Sequence, residues 1–407
     1  MSESVLPLGT APTRFTINRA PVAVAVLLLL LIGLVLARFQ GTQKVLLLLI
    51  GGGLGLSLYH AAFGFTRAWR AFSAERRGAG LRAQMLLFSL TILVFFPVLS
   101  AGEWFGRPVY GFVVPAGTAV AVGAFIFGIG MQIGGGCASG TLFAVGGGNT
   151  RMLVTLVFFI VGSLLATRHL PWWYSLPKPP AVSLLRTLGL WPALLSHLAI
   201  FAAIAVGSWL LERRRHGRVL LATVSEAPWH QRLLRGPWPL PAGALALALL
   251  SAATLLVAGR PWGITSAFAL WGGKAAHGLG WDISAWPYWS EAALKRAILA
   301  DSTSVMNIGI ILGALLAAGL AGKFSPGWRI GGRQLLSAII GGLLLGYGAR
   351  LASGCNIGAY YSGISSGSLH GWLWALTGFL GSMVGTRLRP WCGLAVEHSS
   401  GTPCGRR

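Results

Sequence analysis

The segment FGIGMQIGGGCASGTLFAVGGGN, residues 127–149, places a cysteine directly after three consecutive glycines inside an otherwise apolar stretch. A helix in lipid satisfies its backbone hydrogen bonds internally, and each interior glycine costs it roughly 1 kcal/mol relative to alanine. Ten glycines lie in residues 123–148, so a single ordinary membrane-spanning helix is disfavoured here. We expect a glycine-rich turn at Gly136 and Cys137, followed by a short half-helix whose free amide groups face inward.

The composition is that of a membrane protein. Of the 407 residues 55% are hydrophobic and 10% are charged. The run at residues 21–37 is long enough to cross a hydrocarbon core of about 30 Å, and no small-residue cleavage site of a secretory signal peptide follows it. The sequence therefore predicts an all-α polytopic membrane protein with about ten spans and additional short re-entrant or broken helices. We place the spans near residues 21–37, 45–63, 84–103, 111–130, 152–167, 195–211, 240–258, 303–322, 334–349 and 370–386.

The net charge of +23 comes from 32 lysines and arginines against 9 aspartates and glutamates. In a soluble protein this excess would suggest nucleic acid binding, but here the basic residues occupy short loops between apolar runs, where they orient the protein in the membrane. Nucleic acid is therefore not an expected partner. The basic clusters at residues 67–82 and 213–235 predict two cytoplasmic loops, and both termini are placed inside.

The acidic residues are informative by their positions. None of the nine lies well inside an apolar span. Cation transporters and proton pumps usually keep a carboxylate at mid-membrane to hold the ion or relay the proton. An anion or a neutral solute is therefore the more natural cargo.

The chain contains an internal duplication. GAFIFGIGMQIGGGC (residues 123–137) aligns without a gap with GGLLLGYGARLASGC (residues 341–355), so that four glycines and the final cysteine coincide. After a one-residue shift, GSLLATRHLPW (residues 162–172) aligns with GSMVGTRLRPW (residues 381–391) and shares Gly-Ser, Thr-Arg and Pro-Trp. So many coincidences of uncommon residues indicate two related halves.

A shorter pair of motifs precedes each glycine-cysteine segment. FGFTRAW (residues 63–69) and WGITSAF (residues 262–268) share a glycine and a threonine at equal spacing. In the predicted topology the first short motif ends at the cytoplasmic side and the second starts outside, so the halves are inverted, as in many transporters. We expect residues 1–211 and 239–391 to form the N-terminal and C-terminal membrane repeats. Residues 212–238 would be a basic cytoplasmic linker and 392–407 a cytoplasmic tail.

Cys137 and Cys355 hold equivalent positions in the two halves. A single free cysteine in a membrane helix is often only a small buried hydrophobe, but its recurrence in duplicated broken segments favours a function. Neither has a close cysteine, histidine or carboxylate neighbour in the sequence, so a metal site, a cofactor or nucleophilic catalysis is not expected. A neutral S–H group remains as a weak donor to a soft, sulfur-bearing anion. Cys392 and Cys404 fall in the predicted tail and receive no role.

The two G-x-G-x5-G-C segments, the FGFTRAW motif and the inverted halves resemble the YeeE/YedE family of bacterial inner-membrane proteins, and the resemblance covers nearly the whole chain. It implies a multi-pass protein of the bacterial inner membrane. It further implies an hourglass shape with short helices meeting at the waist, and cysteines that pass thiosulfate inward through S–H···S contacts. Cys137 and Cys355 match the family's cysteines by position. A cytoplasmic sulfur-carrier partner of the TusA-like kind is expected from the resemblance alone.

One departure from the family concerns the first short motif. Thiosulfate-transporting members resemble F-C-F-T there, whereas this sequence has FGFT, so Gly64 stands where a third thiol would be, and Gly263 is its counterpart. The resemblance therefore implies thiosulfate or a related sulfur or selenium species as the cargo. The residues expected along the path are Cys137, Cys355, Gly136, Gly354, Gly64, Gly263, Thr66 and Thr265.

Three basic residues are candidates for the entrance of an anion. Lys274 and His277 follow the second short motif on the predicted outer side, and Arg350 lies five residues before Cys355, where the first half has Gln132. Each could equally be a solvated loop charge or a snorkelling anchor. Two other classes of protein stay open: a membrane thiol/disulfide oxidoreductase and a scaffold subunit of a sulfur-metabolism complex. The 17 tryptophans, several near span ends, predict an interfacial belt.

Overall fold

A computed structural model describes residues 17–220 and 228–396, and this part of the chain is almost entirely helical. Ten of its helices have 17 or more residues, and shorter helices stand between them. In chain order the helices are α1 (Arg19–Phe39), α2 (Thr42–Ala61), α3 (Phe65–Glu75), α4 (Ala79–Ala101), α5 (Thr118–Gly134), α6 (Ala138–Gly146), α7 (Thr150–Ser175), α8 (Leu184–Leu188), α9 (Leu190–His216), α10 (Trp229–Arg235), α11 (Leu240–Ala258), α12 (Thr265–Gly278), α13 (Glu291–Lys295), α14 (Ser302–Leu320), α15 (Gly332–Leu351), α16 (Ser362–Ser365) and α17 (Leu369–Leu388). Two short strands, β1 (Glu103–Trp104) and β2 (Arg107–Pro108), pair antiparallel after α4.

The prediction of an all-α polytopic membrane protein is confirmed. Within the described residues, nine helical segments are long and apolar enough to cross a membrane, and they coincide with nine of the ten predicted spans. The tenth, near residues 370–386, coincides with the 20-residue α17, which is not among those nine. The predicted span at 111–130 begins too early, because residues 111–117 are not helical and α5 begins only at Thr118. Pro115 and the extended Gly117 account for the late start.

Close helix packing explains many of the 58 glycines. A Cβ atom at Gly313 of α14 would lie 1.9 Å from the carbonyl oxygen of Gly52 in α2, and a Cβ at Gly55 would lie 2.1 Å from that of Ile310. Such distances exclude any side chain. Small residues allow membrane helices to approach until their backbones touch, which supplies the van der Waals contact that holds them together in lipid.

The two halves pack through equivalent contacts in the centre of the molecule. A Cβ at Gly162 of α7 would lie 2.4 Å from the carbonyl oxygen of Leu343 in α15, and a Cβ at Gly381 of α17 would lie 2.0 Å from that of Phe125 in α5. The sequence alignment pairs Gly162 with Gly381 and Phe125 with Leu343, so these are the same contact made twice. Helices α5, α7, α15 and α17 therefore form one central group.

Tryptophans occupy the core as well as the periphery, which corrects the expectation of a purely interfacial belt. Trp69, Trp262 and Trp374 are among the largest fully buried side chains, whereas Trp172, Trp191 and several others are exposed. The Trp374 ring stacks on Tyr360 with the centroids 5.9 Å apart and the planes 11° from parallel. This packing joins α17 to the segment that follows Cys355.

Candidate functional site

The first cysteine turn, residues 134–138, interrupts the chain between α5 and α6. Gly135 adopts a left-handed conformation (φ +95°), which a glycine accommodates without strain, and it lets the chain leave α5. Cys137 is then extended and starts α6, where its carbonyl accepts a hydrogen bond from the Thr141 N–H at 2.8 Å. The side chain of Cys137 is 1% exposed, and its sulfur lies 3.4 Å from Ser139 Oγ. Gly136 packs tightly, since a Cβ there would lie 2.9 Å from Met152 Cε.

The second cysteine turn, residues 351–356, repeats this arrangement after α15. Ser353 is left-handed (φ +60°), and Gly354 admits no side chain because a Cβ would lie 2.8 Å from the Ala359 nitrogen. Cys355 is fully buried and extended, and its carbonyl accepts from Ala359 N–H at 2.9 Å. Both cysteines thus open a helical segment directly after a glycine turn, and both carry free thiols.

Gly64 and Gly263, the glycines of the two short motifs, both border open space. Gly64 immediately precedes α3 with extended backbone (φ −130°, ψ 125°), and a Cβ built on it would meet nothing within 4 Å. A Cβ on Gly263 would also meet nothing within 4 Å. A Cβ on Gly358, three residues after Cys355, has only the Cα of Gly263 at 3.9 Å. The second short motif therefore lies close to the segment that follows Cys355.

The residue five positions before each cysteine reaches the short motif of its own half. Gln132 donates through Nε2 to the Thr66 carbonyl at 3.0 Å. Arg350 donates through one guanidinium nitrogen to Thr265 Oγ1 at 3.5 Å and through another to the Tyr288 hydroxyl at 3.1 Å. Arg350, predicted at the entrance, therefore lies beside the threonine predicted to line the path. Thr66 and Thr265 are both buried, and Thr66 Oγ1 has no hydrogen-bond partner.

The other two predicted entrance residues are not placed on the path by their contacts. The ammonium group of Lys274 donates to the Leu294 carbonyl at 2.7 Å, and His277 is exposed in the last turn of α12. A lysine that the sequence did not single out, Lys178, lines a cavity of about 190 Å³ instead. Ser353 of the second cysteine turn borders the same cavity, together with Trp173.

A second and larger cavity, of about 700 Å³, reaches Gly64 from the end of the molecule where α3 ends and α4 begins. Its lining includes four arginines: Arg67, Arg77, Arg82 and Arg232. Arg82 is paired with the buried carboxylate of Glu212 at 2.7 Å. We call this space the basic vestibule. The clustered basic residues in the sequence signalled its charge, but not that Gly64 would lie in its wall.

Sequence reasoning also missed Asn356, which directly follows Cys355. It is completely buried, and neither its Nδ2 nor its Oδ1 has a hydrogen-bond partner. The only signal in the sequence was a polar residue where the first half has Ala138.

The described residues contain no cluster of metal-ligating side chains, and their cysteines are free thiols. No group of three or more histidine, cysteine, aspartate or glutamate side chains within residues 17–220 and 228–396 could hold a metal ion. Cys392 is half-buried beyond α17 and is a free thiol. Cys404 lies outside the described residues.

Comparison with known proteins gives consistent matches. Residues 60–384, which include both short motifs and both cysteine turns, match the family described as "Sulphur transport". The chain is 34% identical over 161 residues to a probable transporter, YedE, of Escherichia coli strain K12, a match that spans only 39% of either protein. It is 29% identical over 282 residues to the thiosulfate transporter TsuA of Spirochaeta thermophila, covering 64% of this chain and 74% of that protein. It is 23% identical over 345 residues to TsuA of E. coli K12, covering 76% and 84%.

These matches confirm the resemblance to YeeE/YedE proteins that the sequence motifs indicated. The chain is a multi-pass membrane protein that belongs to the sulphur transport family.

Proposed function

We propose that this protein is a transporter that imports thiosulfate or a related sulfur or selenium anion through the bacterial inner membrane. The observation that carries the proposal is the pair of buried free thiols, Cys137 and Cys355, at equivalent glycine turns of the two halves. Two relatives whose sequences match most of their own length are named thiosulfate transporters. A soft S–H donor suits the terminal sulfur of such an anion better than it suits the oxygens of sulfate.

The proposed path runs between the two cavities. An anion would enter through the smaller cavity, which reaches Ser353 two residues before Cys355, and would leave through the basic vestibule at Gly64. It would be passed from the Cys355 thiol to the Cys137 thiol by hydrogen bonds, with no covalent bond formed or broken. The basic vestibule would face the cytoplasm, in agreement with the orientation expected from the basic loops. A TusA-like sulfur carrier would receive the anion at that end.

We further propose that the halves are inverted repeats. The contacts between α5 and α15 support this, because Gly123 lies against Ala352 and Gly134 lies against Gly341, which is an antiparallel crossing. In the alignment of the two halves, residue 123 is equivalent to residue 341 and residue 134 to residue 352. Replacing each residue by its equivalent in the other half therefore gives the same two contacts. An antiparallel pair of this kind implies a pseudo-twofold axis across the helices, in the plane of the membrane.

The same symmetry suggests where one repeat ends. Helix α14 contacts α1 and α2, and α4 contacts α9 and α11 in the same way. If α4 and α14 are equivalent, then α9 in the second half corresponds to α1 in the first. A repeat boundary at residues 176–189 therefore fits these contacts better than the expected boundary after residue 211. Residues 212–238 would then connect two helices of the second repeat.

Uptake into proteoliposomes tests the function. The purified chain should accumulate radiolabelled thiosulfate, and sulfite, sulfate and selenium analogues measured in parallel define the cargo. Cys137→Ala and Cys355→Ala should each abolish most uptake while the protein still inserts, whereas Cys392→Ala, which removes a thiol outside the path, should not. Full uptake by the double alanine variant would contradict the proposal. Thiol oxidation without uptake would favour the oxidoreductase.

A further inference from the structure

The side chain of Asn356 is unexplained by the packing of the protein itself. It is 0% exposed, and both the Nδ2 donor and the Oδ1 acceptor lack hydrogen-bond partners. Buried polar groups are almost always hydrogen-bonded, because leaving one unpaired forfeits its interaction with water and gives nothing in return. A fully orphaned amide in the middle of a membrane protein therefore indicates a partner that is not part of the chain.

Open space lies next to the segment that holds Asn356. Asn356 directly follows Cys355, and Gly358, two residues further on, lies close to Gly263, where an added Cβ would meet nothing within 4 Å. The facing short motif contributes a second unpartnered donor, the buried indole nitrogen Trp262 Nε1. A thiol, an amide donor and an indole donor thus occur on two segments that lie close together.

The first half has no counterpart of this amide. Ala138 stands at the aligned position after Cys137, and the nearest polar neighbour of that sulfur is the hydroxyl of Ser139 at 3.4 Å. The backbone symmetry of the two turns is therefore not matched by their chemistry. A polar side chain retained without a partner in only one of two equivalent turns is best explained by a ligand bound at that turn.

We infer that Asn356 binds the oxygen atoms of the transported anion at the second cysteine turn, an inference that rests on the proposed transport function. Asn356 Nδ2–H donates to an oxyanion oxygen while Cys355 S–H contacts the sulfur end. The substrate class is then an anion with both a soft sulfur and acceptor oxygens, and the turn at Cys355 is the half of the path that selects it. Hydrosulfide, which has no oxygen, does not use Asn356.

Thiosulfate binding to the purified full-length chain in detergent tests this inference, with the melting temperature measured with and without thiosulfate. Asn356→Leu removes both orphaned atoms and keeps a similar volume. In the absence of ligand it should melt at the same temperature as the parent or higher, because an unpaired polar group is removed. Its affinity for thiosulfate should fall about tenfold or more, as expected for loss of a hydrogen bond to a charged group. If leucine does not fit at this position, Asn356→Ala tests the loss of the same amide group with a smaller side chain.

The matched control is Asn307→Leu. Asn307 is also completely buried, and its Oδ1 likewise lacks a partner, but its Nδ2 donates to the Ile264 carbonyl at 3.0 Å and so gives the side chain a structural role. This variant should melt at a lower temperature while its folded fraction binds thiosulfate with the parental affinity.

The outcomes separate the two proposals. Parental affinity in Asn356→Leu or Asn356→Ala overturns the inference and leaves the transport function standing. A lower melting temperature of both Asn356 variants without ligand makes the residue structural and overturns it as well. A folded parent that binds none of thiosulfate, sulfite and their selenium analogues overturns the proposed function, and the role of Asn356 with it.

Discussion

The substitution Gly64→Cys tests whether transport in this chain is limited by the absence of a third thiol or whether the site at Gly64 fits another cargo. The backbone of Gly64 is extended (φ −130°), a conformation that cysteine adopts without strain. A Cβ at this position meets nothing within 4 Å, and Gly64 lies in the wall of the basic vestibule. The new thiol would therefore project into open space on the proposed exit route.

The cost to stability should be small. Gly64 is the residue that caps the start of α3, where replacing glycine by an alanine-like residue costs about 0.5–1 kcal/mol. Loss of glycine's flexibility in the unfolded chain returns about 0.4–1 kcal/mol. The two effects nearly cancel, so Gly64→Cys and Gly64→Ala should both fold and insert like the parent.

The gain in transport follows from one added contact. A net hydrogen bond contributes about 1 kcal/mol, which corresponds to about fivefold in rate if it stabilises the step that leaves Cys137. Thiosulfate uptake by Gly64→Cys, measured in proteoliposomes below saturation, should therefore exceed that of Gly64→Ala by about this factor. Equal uptake by the two variants, at equal amounts of inserted protein, would refute the idea that a thiol is missing here.

Three further predictions follow from packing and exposure. Gly346→Ala should destabilise the protein by about 1–3 kcal/mol, because the added Cβ would lie 2.2 Å from a carbonyl oxygen of α7. In the control Gly33→Ala the added Cβ meets nothing within 4 Å, so the melting temperature should stay unchanged or rise. Glu212→Gln should cost about 1–3 kcal/mol in the same thermal assay, less than a fully buried pair, because the side chain of its arginine partner is 23% exposed. In a Cys404→Ser background, a maleimide should label Cys392 before the two buried cysteines, and equal labelling rates would contradict the burial of those thiols.

The local interruptions of the helices were predictable from the sequence, because their causes are local. The three glycines before Cys137, the Ser-Gly pair before Cys355 and the FGFT and WGIT motifs mark the starts of shorter helical segments in the structure. The apolar runs likewise located the long helices. The start of α5 was misplaced, because residues 111–117 are apolar enough for a span and only Pro115 and Gly117 indicate that helix cannot begin there.

The contents of the candidate site were less predictable, since they depend on contacts between distant segments. Lys178 and Ser353 line one cavity although 175 residues separate them in the sequence. Hydropathy does not distinguish a tryptophan at a membrane interface from one in the core, so Trp374 was assigned to the wrong environment. Asn356 could be recognised as unusual only once its lack of partners was visible.

The chemical differences between the two halves bear on direction in the proposed path. A symmetric backbone offers an anion equivalent turns on both sides, so any preference has to come from side chains that differ. Guanidinium groups lie near both turns, since Arg350 donates to Thr265 and Arg70 donates to Gln132. The half with Cys355 additionally holds the amide of Asn356, where the other half has Ala138. That amide would hold an anion more strongly at Cys355, and movement to Cys137 would be unfavourable in isolation.

The basic vestibule supplies the compensating field. Four arginines line it, and one of them, Arg82, is paired with the carboxylate of Glu212. The positive charge of these side chains gives the space beyond Gly64 a potential that attracts an anion out of the centre. On this reasoning the arginines do by long-range attraction what a third thiol would do by contact. Raising the ionic strength on the vestibule side should then slow thiosulfate uptake more in the parent than in Gly64→Cys, because salt screens the arginines and leaves a thiol contact unaffected. If salt slows uptake equally in the two proteins, the charge of the basic vestibule does not help to move the anion inward.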